Sequence, residues 1–221
     1  MLRKYKMIAL CSLILANTNS YGYGLYTAGE SSNASGDFAT AVGANANATG
    51  NYNTAIGAYA SASGQSSNAI GSNSSVNGNN SLAIGSYSNV TGDSAIALGA
   101  SSAASSNSTS VGAVANATGQ NSIAFGHSSA AIQKNSVAVG SGSKSNANYA
   151  ISVGANSNAL HEGSVAIGTQ SSTDRVNSIS FGNADTNRQL TYVAAGTEDT
   201  DGVNVKQLKD YTGDEINKNN A

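Results

Sequence analysis

The sequence has little of what builds an ordinary globular protein. Its 221 residues include no Pro, no Trp, three Phe and a single Cys, and only 10% of them are charged. Globular cores reach crystal-like density by interlocking large side chains, so the shortage of large apolar residues argues against such a core. The low charge also differs from that of disordered chains, which combine low hydrophobicity with high net charge. A net charge of −2, without basic clusters, excludes a typical nucleic-acid-binding surface.

The first twenty residues (1–20) have the order of a secretory signal peptide. Basic residues precede an apolar run over residues 7–16, and small and polar residues follow that run. The run is too short to span a membrane comfortably. We expect cleavage near Ser20. Because Cys11 lies in this segment, the mature chain would have no thiol, which excludes disulfides and thiolate metal sites.

A fixed spacing of Gly dominates the rest of the sequence. Each repeat Gly follows a small residue and then an apolar one, as in Ala83-Ile84-Gly85. Every step is fourteen residues except one of thirteen, from Gly99 to Gly112. The repeat Gly residues are Gly43, Gly57, Gly71, Gly85, Gly99, Gly112, Gly126, Gly140, Gly154, Gly168 and Gly182. A constant period of this kind predicts a repetitive architecture.

A second Gly recurs half a period after the repeat Gly, as at Gly64 and Gly78. Two Gly-marked corners separating two short alternating segments predict a flattened coil with two strands, because Gly suits positive φ and close backbone contact. Residues 21–182 therefore predict an all-β, parallel β-roll with 14-residue coils. About eleven or twelve coils at roughly 4.8 Å each make the roll about 50 Å tall.

Side-chain alternation assigns the faces of this roll. Val165 and Ile167 point one way and Ala166 the other. A two-strand coil is thin, so Ala and Ser should fill it while the larger residues form an outer stripe. Soluble monomers rarely expose so long an apolar stripe, so we expect partner chains to bury it. The stripe comprises Ile56, Ile70, Ile84, Leu98, Val111, Phe125, Val139, Val153, Ile167 and Phe181. The alternative is a monomeric solenoid with its apolar residues inside.

After Gly182 the period stops and charged residues become frequent. Residues 173–182 read TDRVNSISFG, and residues 187–208 read NRQLTYVAAGTEDTDGVNVKQL. With the SVAIG-type repeats, these segments resemble the head and neck of trimeric autotransporter adhesins of the YadA type, over roughly residues 29–210. Val203, Val205 and Leu208 suggest that the chain enters a helix there.

The resemblance implies a left-handed roll, a homotrimer, a neck over residues 183–208 and the start of a coiled-coil stalk over residues 209–221. The family's membrane anchor is expected to be absent from this chain. We therefore expect export across the inner membrane, then display on the outer membrane if an anchor follows, or secretion otherwise. The matching neck residues are Asn187, Arg188, Gln189, Leu190, Gly196, Thr200, Asp201, Val203, Asn204, Val205, Gln207 and Leu208.

The resemblance further implies a non-enzymatic adhesin that attaches to extracellular matrix such as collagen, to host cells or to other bacteria. In the resembled adhesins, collagen-type binding is associated with repeats of the form Asn-Ser-Val-Ala-Ile-Gly-x-x-Ser. The nearest copies here contribute Asn80, Ser81, Ser88, Asn121, Ser122, Ser129, Asn135, Ser136, Ser143, Ser164 and Ser171. The alternative is a structural fibre or surface-layer module, including a phage-type trimeric fibre, without a dedicated host ligand.

No catalytic, cofactor or metal-binding constellation is predicted. His127 and His161 occupy corner positions and are expected to be turn residues, since no paired nucleophile accompanies them. The acidic cluster Glu198, Asp199 and Asp201 is expected to be solvated or ion-paired rather than to bind a metal. A hexapeptide acyltransferase would show a six-residue period, and an ice-binding solenoid would need regular arrays of Thr.

Overall fold

The computed structural model describes residues 23–219, with side chains as far as Gly213. The predicted signal peptide lies outside the described residues. The described part belongs to two compact units, one ending at Thr186 and the other beginning at Asn187.

The first unit is a parallel β-solenoid with two sheets. Within the described residues, a front sheet of twelve strands and a back sheet of ten strands alternate along the chain. The front sheet contains β1 (Tyr26–Ala28), β3 (Thr40–Val42), β5 (Thr54–Ile56), β7 (Asn68–Ile70), β9 (Leu82–Ile84), β11 (Ile96–Leu98), β13 (Thr109–Val111), β15 (Ile123–Phe125), β17 (Val137–Val139), β19 (Ile151–Val153), β21 (Val165–Ile167) and β22 (Ile179–Ser180). The back sheet contains β2 (Asn33–Ala34), β4 (Asn47–Ala48), β6 (Ser61–Ala62), β8 (Ser75–Val76), β10 (Asn89–Val90), β12 (Ala103–Ala104), β14 (Asn116–Ala117), β16 (Ala130–Ala131), β18 (Lys144–Ser145) and β20 (Asn158–Ala159).

Each strand pairs in parallel with the strand one coil later, so that equivalent repeat positions lie side by side. Ala69, for example, pairs with Ala83, and Ile70 with Ile84. The predicted all-β roll with two strands in each 14-residue coil is confirmed.

The interior of the roll is filled by small side chains. The middle residue of a front strand, such as Ala83, and the second residue of a back strand, such as Ala62, are fully buried. Val76 and Val90 are the largest fully buried side chains among the described residues. Buried Asn53 is fully paired, since its amide donates to the Ala62 carbonyl and accepts the Ser67 N–H. The predicted inward packing of small residues is therefore found.

Two corners close every coil; the first holds Gly in every repeat, whereas the second holds Gly in the earlier coils and Gln133, Ala147, His161 or Arg175 in later ones. We call the turn that begins at the repeat Gly the first corner and the turn half a period later the second corner. At the first corner, Gly71 has φ +133°, and a Cβ placed on it would lie 2.5 Å from the carbonyl oxygen of Gly85 in the next coil. At the second corner, a Cβ on Gly64 would lie 2.1 Å from the carbonyl oxygen of Gly78. Backbone thus stacks directly on backbone.

The single thirteen-residue step is absorbed at one second corner. Asn107, with φ +55°, follows the end of β12 by three residues, whereas the equivalent Ser94 follows the end of β10 by four. Ser108 closes the shortened turn, since its hydroxyl accepts the Ser105 N–H and lies 2.7 Å from the Ser105 carbonyl oxygen. The front sheet keeps its register across the deletion, with Ile96 opposite Thr109.

The second unit contains one helix within its described residues, α1 (Val205–Asn219). The chain was expected to turn helical between Val203 and Leu208, and α1 begins inside that interval. The predicted boundary between neck and stalk, at residues 208 and 209, falls inside α1.

Candidate adhesive and assembly surfaces

The stripe residues lie on the outer side of the front sheet, not inside the roll. Each one except Phe181, which follows β22, is the last residue of a front strand, and neighbours pair directly in register. All are half-buried or exposed, ranging up to 54% exposure at Phe125. A roll with its larger apolar residues inside, the alternative considered above, is not what the structure shows.

A second apolar column runs beside the stripe, and its residues were not among those predicted from the sequence. It consists of the first residues of the front strands, which point to the same side as the last residues. From β9 onward this column is apolar except at Thr109, and before β9 it holds Tyr26, Thr40, Thr54 and Asn68. We call the two columns together the apolar face. Its apolar members in the second column are Leu82, Ile96, Ile123, Val137, Ile151, Val165 and Ile179.

The serines of the predicted adhesive repeats lie inside the roll. Most of their hydroxyls donate to backbone carbonyls, as Ser88 does to Gly85 at 2.8 Å and Ser136 does to Gln133 at 2.6 Å. A side chain that is buried and bonded to its own backbone cannot contact a ligand, so we assign these serines a structural role. The buried serines are Ser81, Ser88, Ser122, Ser129, Ser136, Ser143, Ser164 and Ser171.

The asparagines of the same repeats lie at second corners, on the surface. Asn80 and Asn121 are exposed and Asn135 is half-buried. All three have φ between +52° and +57°, a left-handed conformation that Asn tolerates better than most residues. The Asn121 amide donates to the Asn135 side-chain oxygen at 3.0 Å, forming a ladder between coils. Ligand binding by these three asparagines stays a prediction.

In the second unit, Gln207 and Asn204 hold the start of α1. The Asn204 side chain accepts the Gln207 N–H at 3.0 Å, which is a helix N-cap. The Gln207 amide then bonds both backbone groups of Gly196, at 2.9 Å each. The Asn204 amide also donates to the Val193 carbonyl at 3.1 Å. These contacts tie the segment before α1 to its first turn, and they involve three of the predicted neck residues.

Asp201 closes a turn in the same unit. Its carboxylate accepts the backbone N–H groups of Thr197 at 2.9 Å and Glu198 at 3.1 Å. These hydrogen bonds favour the charged form and hold the pKa of Asp201 below its ordinary value. Among the predicted neck residues, Gly196, Asn204 and Gln207 are half-buried and the others are exposed. The exposed apolar ones are Leu190, Val203, Val205 and Leu208.

In the described residues the two histidines are not hydrogen-bonded to each other or to a carboxylate. His127 is exposed, and Nδ1 of His161 lies 3.4 Å from the Thr173 hydroxyl oxygen. Among the residues the structure describes, no three His, Cys, Asp or Glu side chains are grouped to hold a metal ion. Over the same part of the chain, no helix has the length and apolarity needed to cross a bilayer.

Comparisons with known proteins agree with this architecture. Residues 189–221 match the family described as coiled stalk of trimeric autotransporter adhesin. A comparison with curated proteins gave no match. Seven segments match the YadA head domain repeat, at residues 29–46, 34–60, 62–88, 77–102, 103–129, 131–157 and 162–184.

Among solved structures, the chain is similar to the crystal structure of the collagen-binding domain of the Yersinia adhesin YadA. The two are 41% identical, the match covers 76% of this chain and 86% of that one, and the TM-score is 0.59. The resemblance drawn from the repeats and the neck sequence is confirmed, and the chain belongs to the family of YadA-like trimeric autotransporter adhesins.

Proposed function

We propose that the roll is the non-enzymatic head of a homotrimeric surface adhesin that attaches to extracellular matrix of the collagen type. The main observation in favour of a trimer is the apolar face. Its two columns run side by side from β9 to β22, and several of its side chains are about 40% exposed or more, including Ile84, Ile123 and Phe125. Contiguous apolar patches beyond a few hundred Å² usually mark interaction surfaces.

Identical chains are the occupants that best explain this face. The family match includes the stalk of trimeric adhesins, at residues that follow the roll in the sequence. Three rolls packing their front sheets together would bury both columns at once. Residues 183–208 would then serve as the neck and residues 209–221 as the start of the stalk.

Matrix attachment is supported by the similarity to the collagen-binding domain of YadA. Three equal copies in one particle multiply weak contacts, because the second and third contacts form at high effective concentration. Export is supported by the signal-like sequence at residues 1–20 and by the family, and we place the head at the cell surface. Host cells and other bacteria are further candidate partners.

The test uses the signal-cleaved full chain on surfaces coated with collagen, other matrix proteins or albumin. We expect a trimer by analytical ultracentrifugation and retention on collagen that weakens at least tenfold when the trimer is dissociated. A folded monomer at micromolar concentration would contradict the assembly. A trimer that is retained on no matrix protein and no cell surface would point instead to a structural fibre.

A further inference from the structure

The residue two places after each corner Gly has a left-handed backbone, and Tyr occupies this position twice at the first corner. Tyr59 has φ +60° and Tyr87 has φ +58°. Bulky residues rarely adopt this conformation, which costs free energy. Asn45 and Ser101 hold the same position in other coils and suit it better. The two tyrosines are 61% and 64% exposed, so the roll gains little packing from them.

These two tyrosines have matching orientations and a fixed separation. Their backbones have nearly the same φ, and the coils that carry them stack in register, so their Cα–Cβ bonds run parallel. Two coils separate them, which corresponds to about 9.6 Å along the roll. Between them lies Asn73, which is exposed and has φ +56°.

The second corner shows what a closer spacing of aromatic residues produces. Phe38 and Tyr52 lie one coil apart and stack on each other, with ring centroids 5.3 Å apart and planes at 8°. Their facing sides are thereby covered. Tyr59 and Tyr87 are instead held apart by an intervening polar residue, and the gap between them is one coil wide.

We propose that Tyr59, Asn73 and Tyr87 form a docking site for an extended polyproline II strand with proline or hydroxyproline at every third residue. Such a strand advances about 3.1 Å per residue, so its prolines recur every 9.3 Å or so along one side. That repeat matches the spacing of the two rings. Aromatic side chains are the usual receptors of polyproline II segments. The Asn73 amide donates one N–H to the Ser72 hydroxyl at 3.0 Å, and its second N–H can bond a strand carbonyl.

The charge of the surroundings fits such a neutral ligand. Between residues 31 and 173 the charged residues are only Asp37, Asp93, Lys134, Lys144 and Glu162, and none belongs to the two coils that join Tyr59 to Tyr87. The inference rests on the proposed matrix-binding function and specifies one contact through which it acts.

The first test replaces each ring in the signal-cleaved full chain. Tyr59→Ser and Tyr87→Ser are suitable because Ser already occupies this position at Ser31, Ser101 and Ser128. The probe is a triple-helical Gly-Pro-hydroxyproline peptide, followed by fluorescence anisotropy. We expect each variant to bind about tenfold more weakly or worse, since aromatic contacts dominate such interfaces. The control Tyr149→Ser, at a second corner, should stay within about twofold, and unchanged binding by both test variants overturns the inference.

The second test keeps the number of rings and changes only their spacing. The double variant Asn73→Tyr, Tyr87→Asn places the tyrosines on adjacent coils, about 4.8 Å apart. We expect binding of the peptide to fall as far as in Tyr87→Ser, with an unchanged thermal unfolding midpoint. Binding equal to that of the natural chain would show that spacing does not matter and would overturn the proposal.

A collagen-coated surface separates this inference from the proposed function. If the natural chain and the Tyr59→Ser, Tyr87→Ser double variant are retained equally, the tyrosine site is wrong while matrix adhesion stands. If the natural chain is retained on no matrix surface, the proposed function fails. Tyrosine-dependent binding to neutral glycans, without binding to the peptide, would identify a carbohydrate site and overturn the inference.

Discussion

Ser122 and Ser136 occupy the same buried place in adjacent coils but differ in their hydrogen bonds. Ser136 donates to the Gln133 carbonyl at 2.6 Å, whereas the hydroxyl of Ser122 has no partner within the described residues. A buried polar group without a partner costs about 1–3 kcal/mol, and a typical buried bond contributes about 1 kcal/mol.

We therefore predict opposite effects for two identical substitutions. Ser122→Ala should raise the free energy of unfolding by about 1 kcal/mol, because it removes an unpaired hydroxyl, and Ser136→Ala should lower it by about 1 kcal/mol. Ala already fills this place at Ala39, Ala95 and Ala150. Denaturant unfolding measures both changes. Equal destabilisation by the two variants would mean that Ser122 is in fact hydrogen-bonded.

The hydrogen bonds of Asp201 predict that the neck becomes less stable in acid. Since hydrogen bonds lower its folded-state pKa, its contribution to stability is fully present above the unfolded pKa of about 3.9 and is lost as the pH falls through the lower folded value. We expect the melting temperature of the α1 signal in circular dichroism to fall below about pH 4.

The Asp201→Asn variant supplies the comparison for this effect. It should show a smaller acid-induced decrease than the natural chain, since the titrating group is gone. Asp199→Asn, which leaves the Asp201 bonds in place, should keep the full decrease. Identical pH profiles for all three proteins would rule out the assignment.

Not every corner residue could be predicted from sequence. The repeat glycines were evident because they recur in every coil, since a Cβ there would collide with the next coil. The left-handed position two residues later holds Asn, Ser, Tyr, Val, Gln and Gly, so no pattern marks it. The burial of Ser88 and Ser129 was hidden for a similar reason, since Ser suits both a surface turn and a thin interior.

At the level of the coil, close stacking makes the first corner intolerant of any side chain. We predict that Gly71→Ala lowers the free energy of unfolding by about 3 kcal/mol or more, because φ +133° is strained for Ala and the new Cβ would meet the Gly85 carbonyl. Ser72→Ala, at the exposed neighbouring residue, should change it by less than about 0.5 kcal/mol. Thermal and denaturant unfolding of both variants would check this, and a stable Gly71→Ala protein would show that the corner can widen.

The strands themselves were well predicted, and the width of the apolar face was not. The period of fourteen fixed both the parallel pairing and the direction of Ala83 and Ile84. The second column escaped notice because Tyr26 is followed by the polar residues Thr40, Thr54 and Asn68, so the column looks variable when it is followed from the N-terminus. Only the paired register shows that the later members form a continuous apolar surface.

For the whole molecule, the apolar face predicts that a charge placed on it prevents assembly. Ile84→Asp should shift the sedimentation of the signal-cleaved chain from trimer toward monomer, because a buried unpaired carboxylate is strongly unfavourable. Ser75→Asp, on the outer side of the back sheet, should leave the trimer intact. Dissociation by both variants, or by neither, would place the interface elsewhere.

The scarcity of charge predicts adhesion that is nearly independent of salt. With five charged residues between residues 31 and 173, few ion pairs with a ligand are available on the roll. We expect retention on collagen to change less than about twofold between about 0.05 and 0.5 M NaCl, a range that strongly screens exposed charges. A tenfold loss would locate the contact in the charged second unit.

The shortened corner at Asn107 has a consequence for how such heads change over generations. One coil is a residue shorter than the others, yet both sheets keep their pairing across it, because every turn of the chain is supported by its two neighbours alone. Whole repeats can then be gained or lost by unequal recombination without redesigning the rest, each altering the reach of the head by roughly 4.8 Å. The length of such a roll can therefore change separately from the chemistry of its surface.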